Sequence, residues 1–476
     1  MRLDRAGRRM IDSQRKFTGF RPTAAFGCPT GGIPKGRSPA PMATTEAPTS
    51  LRVDPERLAR DLAGLARIGI GEDGSVNRLA FSLADLRGRH YMIHLLQRAG
   101  IAVRMDGIGN LIGRIDGRDP RAPAVALGSH IDSVPHGGRF DGSVGVVAAL
   151  EVARVIRACG LPTERPVEVL IFVAEESSRF GLSTIGSSAM AGDADPARLL
   201  GLTDRSGQRL GDILSRFGIT DDDVAAARRA PGEIGEYLEL HIEQGRILAE
   251  EGKPVGVVRA VAAPCRLRVT FTGRADHSGA TPMHLRRDAL AAAARLVVAV
   301  EDVCLAPRTV PVVGTVGALE ARPGAMNVVP GEATLWIDLR STSRPERDAV
   351  RDALMDAVRR IAGERLLRFA VDTVMEDDPV PLDPGVCALL ERLCVQRGIA
   401  YRLMDSGAGH DAMKMARIAR AGLLFVPSRD GVSHNPREWT ALADIAAGAQ
   451  ILLEAAISLA GPAAAAPGAL AGAAHA

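Results

Sequence analysis

Aromatic side chains are scarce: 3 Tyr, 2 Trp and 11 Phe make up 3% of 476 residues. Single-stranded nucleic acid is bound on aromatic stacking platforms, so this composition argues against such a surface. Cysteine is also thin. Six (Cys28, Cys159, Cys265, Cys304, Cys387 and Cys394) are scattered along the chain without a CxxC pair. That excludes a disulfide-stapled miniprotein and fits free thiols in a reducing compartment, hence a cytoplasmic expectation. No apolar run reaches about 18 residues without a charge, so no segment is expected to span a membrane. Nor does one sign of charge prevail, since 59 Lys/Arg face 56 Asp/Glu. Nine basic against three acidic residues fall in 1–50, which leaves 51–476 with a net charge of −3. The body is mildly acidic and offers no footprint for nucleic acid.

What is present fits a globular chain of two or three domains, with 46% hydrophobic and 24% charged residues. Residues 1–50 lack hydrophobic periodicity and an apolar signal core, and read as a disordered basic leader. Residues 461–476, rich in Ala, Gly and Pro, read as a flexible tail. Between them, apolar residues at helical spacing over 83–99 and 143–158 alternate with short β-branched runs at 124–129 and 167–174. This alternation predicts an α/β sheet covered on both faces. The texture changes after Ala263. Alternating Leu267, Val269 and Phe271 are followed by a helix at about 284–303 and strands near 311–320 and 332–340. A helix at about 344–362 and a strand at 367–375 close the segment. This order is β-α-β-β-α-β, the ferredoxin-like arrangement. The expected division is therefore a catalytic domain over 51–262 and 377–460, with an inserted domain over 263–376.

The densest polar segment is GSHIDSVPHGGRFDG, residues 128–142. His130 and Asp132 are two apart at a strand end, which suits a metal-binding imidazole whose other ring N–H is held by the carboxylate. Asp141 precedes a helix and can return to the site through a glycine-rich turn, or else simply cap that helix. Glu175 and Glu176 close a buried strand, where paired carboxylates are costly unless a cation stands near. One can ligate a metal while the other serves as a base beside an activated water. In LELHIEQG (238–245), His241 and Glu239 lie opposite Leu238, Leu240 and Ile242; GVSHNPREW (431–439) sets His434 in a turn. The pooled set His130, Asp141, Glu176, His241 and His434 suits two borderline divalent cations (zinc, manganese or cobalt) with one bridging carboxylate.

These segments, with GRADHSGATPM, RPGAMNVVPG, DLRS and SGAGHDAM in the same order, resemble the hydantoinase/carbamoylase branch of the dinuclear aminoacylase and carboxypeptidase G-like metallopeptidases. The likeness runs from about 53 to 458. It implies that His130 and His241 hold one metal, Glu176 and His434 the other, and that Asp141 bridges them. It also implies Glu175 as catalytic base, and substrate roles for Gln244, His277, Asn327 and Arg340. Arg340 would grip a carboxylate in bidentate fashion, while His277 would polarise a carbonyl and act as the second catalytic group. The implied fold is a mixed-sheet metallopeptidase-like domain with an inserted lid or dimerisation domain, in a homodimer. Ser177, His284 and Met413 depart from the branch's usual pattern, and His410 and Asp411 are pocket candidates without an assigned role. The expected reaction is hydrolysis of an N-carbamoyl-L-amino acid to amino acid, ammonia and carbon dioxide by a metal-bridging hydroxide. Allantoate amidohydrolase is the nearest alternative. An N-acyl-amino-acid hydrolase or peptidase comes next, and then a metal-stabilised binding protein. The partner is a small ureido acid, with neither nucleic acid nor membrane.

Overall fold

The computed structural model describes residues 51–461; the expected leader over 1–50 and, apart from Gly461, the expected tail over 461–476 lie outside the described residues. In chain order the strands are β1 (Ala102–Met105), β2 (Leu111–Ile115), β3 (Ala124–His130), β4 (Val167–Phe172), β5 (Ile234–Ile242), β6 (Val255–Val261), β7 (Ala263–Thr272), β8 (Asp276–His277), β9 (Val313–Arg322), β10 (Val328–Val329), β11 (Glu332–Ser341), β12 (Arg368–Glu376), β13 (Val380–Pro381), β14 (Tyr401–Ser406) and β15 (Arg420–Val426). Nine of them form a mixed sheet ordered β1-β2-β4-β3-β5-β15-β6-β13, with β14 also beside β6. Its centre, β4-β3-β5-β15, is parallel. Every residue of β3 and β4 is buried, as continuous apolar runs require when helices cover both faces.

β5 shows how the two faces divide. A Cβ on Gly448, in the helix Leu442–Ala460, would come 2.7 Å from Leu240, so the even positions face that helix. Glu239 and His241 face the short helix Asp411–Met415 instead, where the Ala412 N–H donates to Glu239 at 2.8 Å. Leu442–Ala460 is the one described helix long and apolar enough to cross a membrane. It carries Asp444 and Glu454, and Ile451, Leu452 and Leu453 are buried in the core beneath the sheet.

The second sheet is antiparallel, in the order β12-β7-β11-β9. Helices Ala289–Leu305 and Arg344–Glu364 cover it and enclose a separate core around Phe271, Leu296, Leu335 and Leu354. Strict alternation of buried and open positions along β11 marks a sheet with one covered face. The first of these helices begins at Ala289, later than the sequence predicts. Met283–Leu285 forms a 3₁₀ turn, Arg286 is extended, and Asp288 caps the helix by accepting the Ala291 N–H at 2.9 Å. A two-stranded ribbon, β8 with β10, stands beside this sheet.

Candidate metal centre

The parallel strands β4, β3, β5 and β15 present their carboxyl ends on one rim, where open α/β sheets bind ligands. His130 ends β3, the Glu175–Glu176 pair follows β4, His241 lies near the end of β5, and His434 lies in the loop after β15. Asp141 arrives from the loop between β3 and the helix Ser143–Ala158. That helix is capped at Gly142 without a side-chain bond, so the Asp141 carboxylate is not spent as a cap.

Asp141 stands at the centre of the group. Its Oδ1 is 3.2 Å from His241 Nε2 and 3.6 Å from His130 Nε2, while Oδ2 is 3.1 Å from His434 Nε2. His434 Nε2 is also 3.3 Å from Glu176 Oε1, and Glu175 Oε2 is 3.7 Å from His130 Nε2. His130 Nδ1 pairs with the Asp132 carbonyl at 3.0 Å and His241 Nδ1 with the Ile242 carbonyl at 2.9 Å. Both rings therefore turn Nε2 toward Asp141, as ligating histidines do.

Asp132 differs from its sequence expectation. It holds His130 through its backbone carbonyl, while its carboxylate lies 3.7 Å from Nδ1. That carboxylate accepts the N–H groups of Glu175 (3.2 Å) and Glu176 (3.1 Å) instead. Two backbone donors outcompete one ring N–H, so Asp132 orients the paired glutamates. Ala174, Gln244 and His434 all have positive φ, of 53°, 60° and 54°, which places backbone strain beside the cluster.

The donor set itself fits divalent cations. Three imidazoles and two carboxylates converge in two overlapping groups, His130–Asp141–His241 and Asp141–Glu176–His434. Mixed nitrogen and oxygen donors of this kind suit borderline metals.

A match to the model of peptidase family M20/M25/M40 covers residues 126–458. The chain belongs to that family. An N-carbamoyl-L-amino acid amidohydrolase from Geobacillus stearothermophilus is 41% identical over 83% of this chain and 96% of its own. Allantoate amidohydrolase from Escherichia coli is 35% identical over 83% and 96%. The crystal structure of a hydantoinase/carbamoylase family amidase from Burkholderia multivorans superposes with a TM-score of 0.80 at 37% identity, covering 86% of this chain and 98% of that one. This M20-family chain is thus an amidohydrolase of the hydantoinase/carbamoylase branch, a hydrolase of carbon–nitrogen bonds in a family that uses divalent metal ions.

Electrostatics in the M20-family cluster follow from crowding. Burial and the neighbouring carboxylates, Glu176 first and Asp411 next, push Glu175 well above the usual carboxylate range. Burial raises Asp132 likewise, with Asp85 and Glu176 adding to it. Asp141 goes the other way. Burial opposes ionisation, but hydrogen bonds to His241 and His434 hold it well below its ordinary value. Its charge in turn lifts His434 to about 10 and, against burial, His241 to about 9.

The four residues with implied substrate roles are dispersed. Gln244 touches the cluster, its Nε2 donating to Asp141 Oδ2 at 2.9 Å. Arg340 is held by Asp338 (2.9 Å) and by the Gly407 carbonyl (3.0 Å), across from the main sheet. His277 and Asn327 stand together on the exposed ribbon, where His277 Nδ1 accepts the N–H groups of Gly279 and Ala280 and the Asn327 carbonyl accepts that of Ser278. Among the described residues, neither hydrogen-bonds to the cluster.

The sequence alone marks neither Glu438 nor Ser433, and it gives Glu239, His410 and Asp411 no role. Glu239 accepts the Ser129 hydroxyl (2.7 Å) behind His241. Glu438 and Ser433, inside the quoted GVSHNPREW segment, touch the Asp141 loop directly. A lone glutamate in a polar loop carries no burial signal, so only the fold reveals it. His410 meets His241 edge to face with ring centroids 4.6 Å apart, and Asp411 accepts the Ser187 hydroxyl at 2.5 Å.

Proposed function

We propose that the chain hydrolyses the ureido group of N-carbamoyl-L-amino acids, giving amino acid, ammonia and carbon dioxide. His130 and His241 would hold one divalent ion, Glu176 and His434 a second, with Asp141 shared between them; zinc, manganese or cobalt suits these donors. The observation that carries the reading is Asp141, with one oxygen toward His241 and His130 and the other toward His434. Bound ions would acidify water and polarise the carbonyl. Glu175, 3.7 Å from His130, accepts the water proton at Oε2 and returns it to the leaving nitrogen. The carbamate so released breaks down to ammonia and carbon dioxide. The named activity of the Geobacillus relative supports this substrate class, and that of the Escherichia coli relative favours allantoate as the second reading.

In this reading residues 263–376 are an inserted ferredoxin-like domain that serves as a lid and dimerisation unit. Arg340 binds the substrate carboxylate, His277 polarises the carbonyl and Asn327 donates a hydrogen bond. The exposure of His277 and Asn327 on the second unit suits closure over the rim, or delivery to the site of a second copy in a homodimer. Gln244, through its contact with Asp141, lines the substrate side of the centre. Thiols at Cys265, Cys304, Cys387 and Cys394 fit a cytoplasmic setting.

The test is ammonia release by manganese-loaded protein from N-carbamoyl-L-amino acids and allantoate side by side. Release from the carbamoyl acids that chelation abolishes is expected. Release from allantoate alone would transfer the chain to the second reading. Glu175→Gln should keep its metal and lose at least about 100-fold in kcat; wild-type turnover would remove Glu175 as base.

A further inference from the structure

The two groups of donors are built differently. His130 and His241 are fully buried on strands of the central sheet, each fixed by a backbone carbonyl at Nδ1. His434 is 47% exposed and sits on a loop with φ +54°, its ring meeting Asp141 and Glu176 across the rim. Glu438 ties the loop down. It is 2% exposed although its neighbours Arg437 and Trp439 are open to solvent. Oε1 accepts the N–H groups of Phe140 (2.8 Å) and Asp141 (3.1 Å), from a loop 297 residues away. The Ser433 hydroxyl is 3.2 Å from both Glu438 Oε2 and Asp141 Oδ2. Space for this contact is reserved by Gly138, where a Cβ would come 2.1 Å from Glu438 Cδ. At the base of the loop Arg429 lies 3.5 Å over the Trp439 ring and donates its N–H to the Trp439 carbonyl.

We infer that Glu438 is a positioning residue that sets the spacing of Asp141 and His434, and so governs the affinity of the loop-built metal subsite, which takes both, more than that of the strand-built one, which shares only Asp141. The inference rests on the two-ion reading above. Preorganised donors bind with less loss of freedom, so the strand-built subsite is the tighter one. Outer partners of metal ligands typically contribute about tenfold to a hundredfold in affinity.

The experiment is manganese titration of metal-stripped full-length protein, with bound metal counted by elemental analysis after equilibrium dialysis. Wild type, Glu438→Ala and Glu438→Gln are compared, and each is melted to confirm folding. Wild type is expected to bind two ions of unequal affinity. Glu438→Ala should weaken the looser one at least about tenfold and the tighter one distinctly less. Glu438→Gln, whose amide oxygen still accepts both N–H groups, should recover most of that loss. If Glu438→Ala binds both ions as wild type does, or loses both equally while still folded, the inference fails and the two-ion reading stands. A wild type that binds one ion only would overturn both. A Glu438→Ala protein that does not fold leaves the decision to Glu438→Asp, whose shorter side chain withdraws the carboxylate from the Phe140 and Asp141 N–H groups: weakening of the looser ion supports the inference and unchanged binding overturns it.

Discussion

At Gly142 the backbone has φ +62°, and a Cβ there would sit 2.5 Å from the His130 ring. Both facts demand glycine, one through the left-handed backbone and the other through the space the ring occupies. Gly142→Ala is therefore expected to displace His130, lowering metal affinity at least about tenfold and stability by about 1–2 kcal/mol; dialysis with metal analysis and a thermal melt would read the two effects. Charge at the same place has a second consequence. In the metal-free protein Asp141 lifts His434 to about 10 and His241 to about 9. Both rings are then protonated at neutral pH and must lose a proton to ligate. Metal uptake near pH 7 should release protons and weaken on acidification, measurable as buffer-dependent heats in calorimetry. For the metal-free chain the sign is the reverse. The stabilisation from this pairing is complete below the ordinary histidine value and is lost progressively as pH rises from there through about 9 to about 10, so the melting temperature should fall over that whole interval and level off above it. Much of this centre was legible in the sequence, because HIDSVPHGGRFDG and AEESSRF concentrate residue types that a loop seldom gathers without a task. Glu438 was not, since a buried contact between residues 297 positions apart leaves no local trace.

Among the elements, β5 carries the clearest division of labour. Leu240 packs under the sheet while Glu239 and His241 face the rim. Leu240→Ala should cost about 2–5 kcal/mol, a cavity in a fully buried core, and denaturant unfolding would measure it. A loss below about 1 kcal/mol would mean that the helix Leu442–Ala460 closes the gap. Where periodicity was strong, elements could be read closely. The helix at 143–158 and the alternation in β7 and β11 follow from apolar spacing alone. β1, β2, β6 and β14 were not anticipated: β1 is a four-residue strand paired with the adjacent β2, while β2, β6 and β14 owe their place in the sheet to partners distant in sequence. The late start of the helix Ala289–Leu305 has a local cause that was readable in principle: Pro282 and the Asp288 cap.

At the scale of the whole molecule, two cores are joined where the chain passes from β6 to β7 and from β12 to β13. Arg347 ties the two crossings together. Wholly buried, its Nη1 donates to the carbonyls of Ala263 (3.2 Å) and Asp377 (2.6 Å), one on each crossing, and its Nη2 pairs with Glu376 at 3.2 Å. No periodicity or motif distinguishes this arginine from others on its helix; only the return of β12 beside β7 gives it partners on both crossings. Arg347→Met retains much of the apolar volume and leaves those carbonyls without a donor, at about 1–3 kcal/mol each if they stay buried. The crossings are then expected to open before either core unfolds, because each core keeps its own contacts. Brief digestion should cut the variant near 262–264 and 376–380 into fragments that mass spectrometry can size, under conditions in which wild type stays whole. Glu376 would keep Arg344 and Arg351 as partners, so a loosened junction is expected rather than general unfolding. A variant that resists the protease as wild type does would show that pairing of β7 with β11 and β12 holds the junction without Arg347.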